Sequence, residues 1–181
     1  MSRITTVALV AAALGLAASP AFAQSTSGTI NITGSVAPKC SVTAGGGVFN
    51  EALGELADAN GVLRSITRMD HSFTVACSSA SANVTVDADA LAITGGPAAP
   101  TGYSKSIDFT GEAVVQRAGT TDLTVSNLTT AAATTAPTNA YLANATDNVT
   151  ISAYGFATTS PTDKLIAGSY SGKVVVTIAP I

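Results

Sequence analysis

The sequence predicts an all-β protein folded as a sandwich of two sheets. Beyond residue 23 no segment sustains a 3.6-residue apolar period, and short runs of alternating apolar and polar residues recur with Gly-, Pro- or Ser-rich turn signals between them. Composition points the same way: 46% of residues are hydrophobic, 10% are charged, and Thr, Ser, Ala and Val dominate, so hydroxyls rather than ions solvate the surface. The formal net charge is −3. No basic patch suited to nucleic acid or to an anionic membrane surface accompanies it.

The chain opens with Arg3, an apolar run over Val7–Ala18 and the A-x-A signal Ala21-Phe22-Ala23, which together read as a secretory leader covering residues 1–23. The run is short for a bilayer span and is followed at once by polar Gln24-Ser25-Thr26-Ser27, which argues against a retained anchor. Cleavage leaves Gln24–Ile181, enough for one domain. In an exported chain the two cysteines, Cys40 and Cys77, are expected to form one disulfide, worth about 4 kcal/mol in the chain-entropy model. Free or metal-bound thiols are the rival reading, weakened by the single histidine and the lack of a second cysteine pair.

The first element is Gly28–Val36, in which Gly28, Ile30, Ile32, Gly34 and Val36 alternate with Thr29, Asn31, Thr33 and Ser35. That is the period of a strand with one buried face. It has no hairpin partner directly after it, so its partner is either distant in the chain or another molecule. Ala37-Pro38-Lys39 then breaks the pairing. Cys40–Ala44 makes a short strand that Gly45-Gly46-Gly47 ends. Val48–Leu56 reads as an extended segment placing Phe49, Leu53 and Leu56 in the core.

Asp70–Cys77 is a clearer strand, with Phe73, Val75 and Cys77 on one face. Ser78–Ser81 turns into a further strand over Ala82–Ala88, and the two are expected to form a hairpin. Gly95–Pro100 is a loop. Tyr103–Gln116 alternates around Ile107, Phe109 and Val114-Val115, with Gly111 dividing it or marking a bulge. Ala118–Asn144 is low in complexity and reads as a long surface loop or a poorly patterned edge hairpin. Alternation returns at Asn148–Tyr154. The last strand, Tyr170–Ile178, puts Tyr170, Gly172, Val174, Val176 and Ile178 on one face, three residues before the chain stops.

Catalytic chemistry is thinly represented. Asp70, His71 and Ser72 offer the three residue types of a relay, but neighbours on a strand point to opposite faces and cannot readily form one. Asp87 and Asp89, near Asn83, lack the glycine and terminal glutamate of a calcium loop. No cofactor or metal site is expected. Asn31, Asn83, Asn127, Asn144 and Asn148 each begin an Asn-x-Ser/Thr triplet, which a threonine-rich chain produces by chance.

Taken in order, Gly28–Val36 followed by Cys40, Leu53-Gly54 between the cysteines, Phe73-Thr74-Val75-Ala76-Cys77, and the closing Ala167-Gly168-Ser169-Tyr170 strand resemble chaperone-usher pilus subunits of the spore coat U or archaic-pilin type. The end departs from classical subunits, being Ala179-Pro180-Ile181 where those carry a tyrosine next to last. The resemblance implies an immunoglobulin-like Greek-key β-sandwich lacking its last strand. Residues 24–36 would then be a donor-strand segment merging into the first strand, and residues 37–181 the pilin-like domain. It implies that Tyr170, Gly172, Val174, Val176 and Ile178 edge a groove. A periplasmic chaperone fills that groove first, and the strand Gly28, Ile30, Ile32, Gly34, Val36 of the next subunit replaces it with the help of an outer-membrane usher.

The expected function is therefore non-enzymatic. The chain would be a structural subunit of a surface pilus of a Gram-negative bacterium, exported through the periplasm and supporting adhesion or biofilm formation, with identical or homologous subunits as partners and no nucleic acid. Two other readings stand beside it. One is a self-complete secreted surface-layer or coat β-sandwich in which Gly28–Val36 pairs with the chain's own final strand. The other is a secreted hydrolase dependent on His71.

Overall fold

The computed structural model describes residues 30–181. The expected leader, the first residues of the arm and Gly28 lie outside the described residues. Those described contain ten strands and no helix. In chain order they are β1 Cys40–Ala44, β2 Met69–Cys77, β3 Ala82–Ala92, β4 Tyr103–Ser104, β5 Ser106–Val115, β6 Leu123–Leu128, β7 Thr134–Pro137, β8 Val149–Ala157, β9 Lys164–Leu165 and β10 Ser171–Pro180.

Eight strands join in one antiparallel sheet that doubles over on itself, with the order β1-β2-β8-β5-β3-β10; β6 adds to β5 and β7 to β3. One layer is β1-β2-β8-β5-β6 and the other β7-β3-β10. They meet where the end of β3 pairs with the start of β5, at Leu91 opposite Ile107 and Ala92 opposite Ser106. The remaining pair, β4 and β9, is short and parallel. Phe73 and Val75 of β2, Val84 and Val86 of β3, Ala113 and Val115 of β5, Val125 of β6 and Val149 of β8 are buried together between the layers. Their spacing of two along each strand follows from side chains alternating across a pleated sheet. The arrangement is all-β and compatible with an immunoglobulin-like Greek key.

Cys40 and Cys77 stand opposite each other in the β1–β2 register and form the expected disulfide. Beyond the ladders, two buried asparagines stitch the sandwich. The Asn148 carboxamide takes the Val75 N–H at 2.8 Å and gives its own N–H to the Val75 carbonyl at 2.8 Å, continuing the β2–β8 pairing past Phe73 and Val149. Asn127 on β6 accepts the Ala88 N–H of β3 at 3.0 Å and so ties one layer to the other. Both triplet asparagines are thus structural. Burial at 1–2% exposure removes them from any modifying enzyme in the folded chain.

Several expectations need correction. Residues 30–39 carry no strand, so the described part of Gly28–Val36 is not the domain's own first strand; β1 begins at Cys40. An alternating segment becomes a strand only when a ladder satisfies its backbone. The Asp70–Cys77 and Ala82–Ala88 strands do not form a hairpin, because β2 and β3 lie in opposite layers. Ser78 bonds back to Lys39 and the Ser81 carbonyl accepts from Ile181, so the turn spans the sandwich instead of closing a ladder.

Gly111 neither divides β5 nor forms a bulge. The register breaks on the partner strand, where Gly155 of β8 adopts φ 71, opposite Asp108–Thr110. Ala118–Asn144 is neither a loop nor a hairpin. It supplies β6 to one layer and β7 to the other. Tyr170 lies outside the last strand, which runs from Ser171 to Pro180.

Candidate functional site

Among the described residues β10 pairs with β3 alone, and β1 with β2 alone. The two ends of the folded sheet are therefore unpaired edges, and an open groove of about 630 Å³ runs between them. Gly172–Val176 of β10 forms one wall. Residues 47–51 with Leu53 form the other, and Phe73, Phe109, Ile151 and Phe156 lie in the floor. Of the floor residues, Phe73 belongs to the core cluster and Ile151 packs against it, while Phe109 stacks on Phe156 at 5.1 Å.

The β10 wall follows from its sequence. Val174, Val176 and Ile178 point inward and are half-buried against the core, while Val175 faces out at 40% exposure. In an antiparallel pair each strand uses alternate N–H and C=O groups on one neighbour, so half of the β10 backbone groups point away from β3. Gly172 sits where β3 carries an extra residue. A Cβ there would lie 2.7 Å from the Asp89 carbonyl oxygen and 2.8 Å from the Leu91 nitrogen, so only glycine fits. Tyr170 anchors the approach to the strand: its hydroxyl faces the carbonyls of Ile166 at 2.9 Å and Ser104 at 3.2 Å, and burial raises its pKa. A second hollow of about 570 Å³ shares Glu51, Leu53 and Leu91 with the first, so the depression continues past Gly172 toward Tyr170.

The opposite wall is built differently. Residues 46–52 make no backbone hydrogen bond to another described residue. Phe49 holds them down, its ring stacked on the His71 imidazole at 4.5 Å and tilted against Phe73 at 6.3 Å. Phe49 was legible in the sequence as a core contact, whereas Leu53 and Leu56, expected there too, are half-buried without joining the core cluster; nothing in the pattern marks Phe49, Leu53, Glu51 or His71 as the wall of a groove.

The Asp70-His71-Ser72 relay is not assembled. His71 faces inward, while Ser72 bonds Thr150 and Asp70 bonds Arg68 and Ser152 on the outer face. There Arg68 reaches Asp70 at 2.7 Å, Glu112 at 2.8 Å and Ser152 at 2.7 Å, and stacks over Tyr154 at 4.7 Å. The Ser152 hydroxyl, then the Arg68 guanidinium, lower the Asp70 pKa. Glu112 first and Asp70 second raise that of Arg68. Burial, reinforced by the hydrogen bond to Glu112, raises the Tyr154 phenol. The cluster is a satisfied network across β2, β8 and β5. Asp89, one of the two acidic residues considered for calcium, pairs with Lys173 at 3.3 Å.

Of the residues assigned to the donor strand, Ile30 and Ile32 are 85% and 89% exposed, and Val36 is 80% exposed. A Cβ on Gly34 would meet no atom within 4 Å. The described part of the arm is thus an alternating apolar segment without a ladder. Neither a protein-family model, a curated protein nor a solved structure matches the chain.

Proposed function

We propose that this chain is a structural subunit of a surface pilus that polymerises head-to-tail by donor-strand complementation. The observation carrying this reading is the groove with an unpaired strand edge along one wall and the core as its floor. A strand laid there satisfies the free β10 backbone and covers the floor in one step. The same chain carries a segment of the matching period in Ile30, Ile32 and Val36. Burying each of these is worth roughly 1.5–3 kcal/mol, and the added ladder contributes main-chain hydrogen bonds. A partner joined by arm and groove presents its own groove in turn, so the contact is heterologous and generates an open filament.

Export, capping of the groove by a periplasmic chaperone until assembly, and passage through an outer-membrane usher belong to the same proposal. The subunit needs no catalytic group and no cofactor for this role. The test is assembly. Purified chain should form rods that resist mild denaturant, and the Ile30→Asp, Ile32→Asp double variant should remain monomeric or chaperone-bound. Rods from that variant would overturn the reading.

A further inference from the structure

The wall facing β10 carries one small side-chain cluster. Phe49 lies almost parallel to His71, with 11° between the ring planes, and two residues on Glu51 places Oε1 2.7 Å from His71 Nε2. That nitrogen is buried, and the carboxylate lacks the alignment of a hydrogen bond. Residues 46–52 bond to no other described backbone, so these side chains fix the segment together with the Arg64 guanidinium, which donates to the Leu53 carbonyl at its end.

We propose that Phe49, Glu51 and His71 form a latch holding residues 47–53 away from β10, which keeps the groove open to an incoming strand and holds it most firmly when the imidazole is charged. The proposal rests on the strand-accepting reading of the groove. The charges around the imidazole are few. Asp70, next to it on β2, points to the outer face and is engaged with Arg68. Ile151 stands opposite on β8, and Lys173 on the β10 wall pairs with Asp89. Glu51 is thus the carboxylate that meets the ring. A positive imidazole attracts it, so the latch holds more tightly when the ring carries a proton than when it is neutral. His71 is 31% and Glu51 47% exposed, so solvent screens the contact and the effect is modest, roughly two- to fivefold.

The test uses the full chain with Ile30→Asp and Ile32→Asp, whose groove no neighbouring arm fills. A synthetic peptide of residues 24–36 is titrated against it at about pH 5.5 and about pH 8. Amide exchange in residues 47–53, corrected for the intrinsic pH effect, is read without peptide. Peptide affinity should be roughly two- to fivefold higher at the lower pH, with slower exchange in the segment. Glu51→Gln and His71→Phe should each abolish both pH responses, and His71→Phe, which keeps the ring stack, should protect the segment better than Phe49→Ala does. PH responses surviving in Glu51→Gln, or exchange that does not change with pH, would overturn the latch. Peptide that never binds while the segment still tightens in acid would support the latch and overturn the strand-accepting reading.

Discussion

Val174 of β10 occupies the space that a side chain on Gly111 of β5 would need. A Cβ at Gly111 would lie 2.9 Å from Val174 Cγ1 and 3.0 Å from the Ala88 Cβ. The glycine therefore lets the two layers approach, and it places the inner face of the edge strand β10 directly on the core. Groove and core share one packing problem: whatever displaces Val174 also moves the β10 edge of the groove.

Gly111→Ala should accordingly destabilise the fold by about 1–3 kcal/mol through overpacking, measured by denaturant unfolding. Val174→Ala combined with it should recover part of that loss, a coupling visible in a double-mutant cycle. Strict additivity would show that the two residues do not press on one another.

Asn148 should be among the costliest polar residues to replace. Asn148→Ala leaves the Val75 N–H and carbonyl without their partners in a buried site, at about 2–5 kcal/mol for the two groups. Asn148→Asp keeps the acceptor but turns an oxygen toward the carbonyls of Val75 and Ala143, so it should not rescue. Thermal unfolding of the three chains decides this.

Acid stability should depend on Asp70. Its folded pKa is lowered below 3.8 by Ser152 and Arg68, so it stabilises the fold above that value, and the contribution is lost as pH falls through the lower, folded pKa. Asp70→Asn should flatten the decline in stability below about pH 4 while weakening the protein at neutral pH. Arg68→Met should raise the Asp70 titration seen by carboxyl NMR. An Asp70 resonance titrating at the unfolded value would contradict the network.

The Cys40–Cys77 bridge closes a 37-residue separation, and its removal in a Cys40→Ser, Cys77→Ser chain should cost about 4 kcal/mol in the entropic model. Because it pins β1, whose Val42 borders the groove, strand capture should weaken as well.

Strands β2, β8 and β10 were legible because each buries one face beneath residues with strong apolar contrast, such as Phe73, Ile151 and Val176. The cysteine pairing was legible because only one pair exists. β6 and β7 were not, since Thr134, Thr135 and Ala136 show little contrast and take their strand character from distant partners in β3. Ser78–Ser81 has the composition of a tight turn, yet composition does not say whether a turn closes a ladder or crosses between layers. Gly28–Val36 was readable as a period. A period predicts what a segment would bury in a sheet and not whether its own domain offers the partner. β1 starts at Cys40, and the segment's described residues carry no strand. The far wall of the groove depends on a stacked pair, Phe49 and His71, separated by 22 positions in sequence, which local pattern cannot reveal.

In the proposed assembly the arm of one molecule fills the groove of another. A photo-reactive residue at position 32, in a mixture of isotope-labelled and unlabelled chains, tests it directly. Adducts joining labelled to unlabelled chains are expected, mapped by mass spectrometry to Gly172–Val176 or to residues 47–53. Adducts to these walls found only within single chains, or none to either wall, would contradict it.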